Sequence, residues 1–281
     1  MVFRSFAVIG AGNIGSFIIA ELLRLKAIGT VTSITVISRS DASASHPEWV
    51  MQGAKFATIN YDDRSTLLAA FEGVDVAISA VANGPGGIQS QKVLADAAKT
   101  AGVKIFVPSE FGSPSAKLEG DVALKAQIRN YLQEIGLPYA ILYTGPFADM
   151  LFSPFFGFDF ANGKVTVPGL GDAPISFTGR PDVVRYIGFV FTNLPAEKLE
   201  WKVLRMEGER TTLNEILRSY QEKTGKSLEI NYITPEELEK RTDFAAAIAL
   251  RWEKGEGVVG DTVDNDLYPG WNPKKALEYI A

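Results

Sequence analysis

The chain has no cysteine and one histidine, His46, among 281 residues. The first absence removes disulfides, thiol nucleophiles and Cys-ligated zinc, and the second removes a histidine metal cluster and argues against a Ser-His-Asp triad, so no metal site is expected. Charge of one sign is also lacking, since 28 basic residues against 33 acidic ones leave a net charge of −5. Without a basic stripe nothing supplies counterion release, and no direct nucleic-acid partner is expected. An uncharged run near the N-terminus, residues 5–20, is interrupted by Gly10, Gly12, Asn13 and Gly15. It falls short of the ~20 residues of a membrane-spanning helix. It is not read as a secretory leader either, so the expectation is a cytoplasmic protein with no membrane partner. What is present is globular composition, 46% hydrophobic and 22% charged, in a chain long enough to bury a core without metal or disulfide.

Apolar runs at 6–9, 34–38, 55–59, 76–81, 104–107 and 139–143 read as strands. Between them, helical spacing of apolar residues predicts helices near 14–25, 64–71, 88–101 and 122–135. The strand runs are nearly continuous rather than alternating, as a parallel sheet covered on both faces requires. Repeated β-α alternation then gives the fold class: α/β, a doubly wound parallel Rossmann sheet. The expected division is 1–146 as an NAD(P)-binding domain and 147–281 as a smaller C-terminal substrate-binding region that returns some elements to the sheet. In that second region a Phe- and Gly-rich stretch covers 147–171. A helix at 181–192, strands at 202–206 and 228–233 around a helix at 212–223, and more helix over 235–252 follow.

Gly10-Ala11-Gly12-Asn13-Ile14-Gly15 follows the first strand and opens the first helix. Gly10 allows the tight turn, Gly12 lets backbone approach a pyrophosphate, and Gly15 lets helix pack on strand; Asn13 and Ile14 complete the cofactor-binding loop. At the end of the second strand stands Ser38-Arg39-Ser40. Arg39, with Ser40 beside it, can hold a 2'-phosphate through paired hydrogen bonds, which favours NADPH (NADP+) over NADH. Asp41 is the competing feature, a carboxylate one loop shift away from the ribose. Asp62 and Asp63 read as a helix cap, and His46 as a simple loop residue.

Val107-Pro108-Ser109-Glu110-Phe111-Gly112 follows the fifth strand, and Lys125 lies downstream in a helix that ends Gly136-Leu137-Pro138-Tyr139. With Gln91, Gly145-Pro146-Phe147, Tyr268-Pro269 and Glu278-Tyr279-Ile280, these segments resemble the NmrA-like and isoflavone-reductase-like branch of atypical short-chain dehydrogenases. The likeness runs over most of the chain, specific in the N-terminal and central motifs and loose over the last 100 residues. The glycine-rich stretch Asn83 to Gly87 and the short segment after Phe111 depart from the pattern.

The resemblance implies an NADPH-dependent reductase of a conjugated or aromatic, phenylpropanoid- or isoflavonoid-like small molecule, with Lys125 as general acid/base. It places Ala82, Phe111, Lys125 and Phe147 at the cofactor, and Phe111, Phe147, Leu151, Phe152 and Phe155 at the substrate. None of the nine tyrosines has lysine four positions later, so the usual Tyr-x-x-x-Lys pair is missing. That gap counts against an epimerase or dehydratase. A non-catalytic NAD(P)-binding redox-sensing regulator, acting through protein partners, stays open as the alternative, and so does a homodimer.

Overall fold

In the computed structural model, which describes residues 2–82, 84–114 and 123–280, the apolar runs become strands close to their expected limits. The order is β1 Ser5–Ile9, α1 Asn13–Ala27, β2 Ser33–Ser38, α2 Pro47–Met51, β3 Lys55–Thr58 and α3 Arg64–Ala70. Then come β4 Val76–Ser79, α4 Pro85–Thr100, β5 Ile105–Val107, α5 Ala123–Ile135 and β6 Ala140–Tyr143. Asn83 and Val122 lie outside the described residues.

Five strands form one parallel sheet in the order β3-β2-β1-β4-β5. Every residue of β4 is buried, which only helices on both faces can provide. Beyond β5, a parallel bridge from Phe106 to Tyr139 leads to β6, which pairs with a strand at Lys202–Arg205. Strand order reverses between β1 and β4, and in such sheets the crevice beyond the carboxyl ends at that reversal is where ligands bind.

The first helix shows why the sequence folds this way. Ile14, Ile18, Ile19, Leu22, Leu23 and Leu25 are buried along one side of α1, each contributing roughly 1.5–3 kcal/mol of transfer energy before entropy is subtracted. Arg24 and Lys26 sit in its last turn, where the helix dipole favours cations. A later helix, Arg180–Asn193, packs on α1 at Gly188, where a Cβ would come within 3.0 Å of Leu25 and 3.1 Å of Glu21.

The chain divides into two compact units, Met1–Glu110 with Ser115–Leu142 and Val184–Leu204, and Phe111–Pro114 with Tyr143–Val183 and Arg205–Ala281. The second has its own core, in which Phe152, Phe158, Val165, Val167, Phe177 and Leu217 are buried together. Around it, Lys164–Pro168 pairs in parallel with Glu229–Ile233 and antiparallel with Phe158–Asp159. Ile175–Phe177 pairs antiparallel with Glu209–Thr211.

Four local readings change. The polar loop around His46 contains the short helix α2, with Pro47 in its first turn and the His46 ring stacked on Trp49 at 3.8 Å. The glycine-rich stretch before Ile88 is already helical from Pro85, since proline is preorganised for a first turn. Helix over 235–252 is two helices, Pro235–Glu239 and Phe244–Glu253. The second is started afresh by the Asp243 side chain, which accepts from the Ala246 N–H. The Phe- and Gly-rich stretch contains the two short strands 158–159 and 164–168, turned by Gly163 at φ +67°. Asp63 caps α3 by accepting from the Ser65 N–H.

Candidate active site

The turn after β1 separates its three glycines by what the chain itself requires. Gly10 has φ +97°, and a Cβ there would lie 2.9 Å from the Ala80 carbonyl oxygen; a Cβ on Gly15 would lie 2.0 Å from the Gly10 oxygen. Both are dictated by backbone crowding where α1 leaves the sheet. Gly12 is not: its φ is −86°, and a Cβ there would meet no atom of the described residues within 4 Å. It is the N-cap of α1, which begins with no side-chain cap and no acidic residue in its first turn. An open cradle at an uncapped helix start, with positive partial charge behind it, suits a pyrophosphate. Asn13 and the buried Ile14 follow directly.

Arg39 and Ser40 are exposed just past β2, and Arg39 has no hydrogen-bond or ion-pair partner among the described residues. Asp41 is committed elsewhere, because its Oδ1 accepts from the Ser43 hydroxyl at 2.6 Å and the Ser43 N–H at 2.8 Å. The hydroxyl first, and then the N–H, hold this carboxyl below the usual aspartate range. The carboxylate is turned into its own loop while the guanidinium stays available to a phosphate.

Past β4, Ala82 is exposed, and the first turn of α4 sits so close that a Cβ on Gly87 would lie 2.3 Å from the Ala82 carbonyl oxygen. The Ser109 hydroxyl donates to the Val81 carbonyl at 2.9 Å, and the Ser109 N–H donates to Gln91 Oε1 at 2.8 Å. One residue on, the Glu110 carbonyl accepts from Lys125 Nζ at 2.7 Å. A run of contacts from Gly10 through Ala80, Val81 and Ser109 to Glu110 therefore places the glycine turn, Ala82 and Lys125 at the carboxyl ends of β1, β4 and β5. Lys125 itself is partly exposed, in the first turn of α5.

In the second unit, Phe111 has φ +25°, a conformation that a bulky side chain rarely adopts and that marks a constrained position. Gly145, before Pro146-Phe147, has φ +64°, and a Cβ there would lie 1.8 Å from the Ser176 carbonyl oxygen. Phe147, buried, bridges in parallel to Thr178. Leu151 and Phe152 are brought together in the core of this unit, with the Phe152 ring 5.2 Å from Phe158 and 5.6 Å from Phe177. Phe155 stands apart from them, 87% exposed, with its ring edge-on to Phe156.

Gln91 and Ser109 went unassigned as site residues in the sequence. The signal was present, because Gln91, Leu94, Ala95 and Ala98 form one buried stripe on α4. A polar residue on such a stripe has to be paired. Among the described residues no cluster of acidic or histidine side chains could hold a metal, and no helix is long and apolar enough to cross a membrane.

The family model described as NmrA-like matches residues 4–275. An isoflavone reductase homolog of Zea mays is 32% identical over 252 residues, covering 83% of this chain and 78% of that one. The oxidoreductase aprR of Aspergillus flavus is 29% identical over 245 residues, with 83% and 78% covered. Among solved structures, AtPrR2 with NADP+ and (+)pinoresinol superposes with a TM-score of 0.82 at 23% identity, over 100% of this chain and 98% of that one.

Proposed function

The chain belongs to the NmrA-like family, and from that premise we propose that it is an NADPH-dependent reductase of a conjugated or aromatic small molecule of phenylpropanoid or isoflavonoid type, with Lys125 as general acid/base. The observation that carries this reading is the position of Lys125, whose Nζ lies 2.7 Å from the Glu110 carbonyl, at the same carboxyl end of the sheet as the open turn at Gly12. The names of the relatives support the substrate class, one an isoflavone reductase homolog and another solved with pinoresinol.

The residues present fit a nicotinamide dinucleotide. Gly12 and the N–H groups opening α1 would hold the pyrophosphate, with Asn13, Ile14 and Ser40 beside it and Arg39 on the 2'-phosphate. Once bound, that cofactor supplies the hydride. The chain's own part is to place and neutralise. Lys125, anchored on a backbone carbonyl, directs its ammonium to the oxygen of the acceptor and donates a hydrogen bond or proton there. By the resemblance, Ala82, Phe111 and Phe147 would border the nicotinamide half and Phe111, Phe147, Leu151, Phe152 and Phe155 the substrate; of these, Leu151 and Phe152 are packed into a core and Phe155 is 87% exposed.

The test is NADPH oxidation, followed by absorbance, across conjugated aromatic ketones, phenylpropanoids and lignans, beside NADPH and NADH titrations. We expect turnover that falls by roughly 100-fold or more in Lys125→Ala while NADPH affinity is kept. Undiminished turnover in that variant removes Lys125 from the chemistry. Tight NADPH binding without turnover on any compound turns the reading to a cofactor-sensing regulator, and equal affinity for NADH removes Arg39 as the selector.

A further inference from the structure

Between the fourth helix and the lysine runs a short path of hydrogen bonds. Gln91 is 1% exposed, and a buried amide is stable only when hydrogen-bonded. Its Oε1 takes the Ser109 N–H at 2.8 Å, and the Ser109 hydroxyl is fastened to the Val81 carbonyl at 2.9 Å. The next residue closes a tight turn, the Glu110 N–H donating to the Pro108 carbonyl at 2.8 Å. The carbonyl of that same Glu110 holds Lys125 Nζ at 2.7 Å. Immediately afterwards Phe111 has its φ of +25°, so the segment is kept in a conformation it would leave if released.

Resting on the reductase reading above, we propose that Gln91 is a positioning residue for Lys125: its amide oxygen locks the Pro108–Glu110 turn, and the orientation of the Glu110 carbonyl then sets where the ammonium is presented. Ser109 is the second member. Its hydroxyl proton is committed to Val81, so it serves as a fastener and not as a proton donor. That bond also ties the turn to the segment carrying Ala82, so one amide fixes both the acid and the wall beside the nicotinamide. Gln91 touches neither substrate nor cofactor in this scheme and acts through the Pro108–Glu110 turn, chiefly on Lys125.

Three variants test it. Gln91→Leu removes the acceptor, Gln91→Asn retracts it by one methylene while keeping polarity, and Gln91→Glu keeps an oxygen in place. Lys125 exposure and placement are read without substrate, by the rate of acetic anhydride labelling at Lys125, measured by peptide mass spectrometry against exposed Lys202 in the same sample. Turnover is read as kcat and KM on whichever panel compound the wild type reduces. The expected result is a changed Lys125-to-Lys202 labelling ratio and a kcat lower by roughly 10- to 100-fold, the range for a catalytic group displaced by about an ångström, in Gln91→Leu and Gln91→Asn. NADPH affinity should persist in both, and Gln91→Glu should restore the labelling ratio and most of kcat. Wild-type labelling and kcat in folded Gln91→Asn overturn the proposal, whatever happens to the melting temperature. Lys125→Ala, run in parallel, separates the two readings: if it keeps turnover the reductase assignment of Lys125 fails, and the labelling ratio still decides the positioning.

Discussion

At the scale of single residues, the glycine turn makes a sharp distinction. Gly15 is held by a backbone oxygen 2.0 Å from where its Cβ would be, and Gly12 by nothing among the described residues within 4 Å. Gly12→Ala should therefore lose NADPH affinity by at least about tenfold, ~1.4 kcal/mol. Its melting temperature without cofactor should fall by no more than about 4 °C, because alanine is a poorer helix N-cap than glycine by up to about 1 kcal/mol. Gly15→Ala should lower the melting temperature itself. Fluorescence titration and calorimetry on the two variants would check this, and a Gly12→Ala protein that binds NADPH normally would show that no ligand uses the cradle. The motif and its role were legible because each glycine sits at a fixed offset from strand and helix. The relay through Gln91 and Ser109 was less so, because it depends on which way a loop carbonyl points. Phe152 illustrates a further limit: aromatic density in a sequence does not distinguish a ring in a core cluster from an exposed one such as Phe155.

At the scale of elements, strand starts are pinned as deliberately as strand ends. The Asp75 carboxylate, just before β4, accepts from the Arg4 and Ser5 N–H groups at 2.9 and 3.0 Å and from Lys104 Nζ at 2.6 Å, joining the starts of β1, β4 and β5. Burial works to raise its pKa, but the Lys104 hydrogen bond and the two N–H donors outweigh it and leave the group below the ordinary 3.8. A carboxylate with a depressed folded pKa stabilises fully above its unfolded value and loses that contribution as pH falls through the folded one. Asp75→Ala should thus cost about 1–2 kcal/mol at neutral pH, discounted because Lys104 is 44% exposed. The gap from wild type should close as the pH drops below about 4, and urea unfolding at several pH values reads it directly. A gap independent of pH would mean that packing, not the charge, is lost. Elements of the parallel sheet were legible from their continuous apolar runs. The short helix at Pro47–Met51 and the two-residue strand at 158–159 were not, because neither is long enough to show a period.

At the scale of the molecule, the first unit is not a continuous stretch of chain. It includes Val184–Leu204, where Tyr186, Ile187, Val190 and Phe191 are at most 1% exposed. A fragment ending at residue 146 lacks all of these. It should show helical circular dichroism but no cooperative thermal transition, and a sharp melting curve would show that the sheet stands without them. The same arrangement has a consequence during synthesis. At ~5–20 residues per second, the ribosome takes roughly 3 to 12 s after finishing β6 to deliver the Lys202–Arg205 strand that pairs with it. For that interval a nascent sheet edge is open to other chains. Yield in a cell will depend on chaperone supply and on translation speed between residues 143 and 204, even where the finished protein is fully stable.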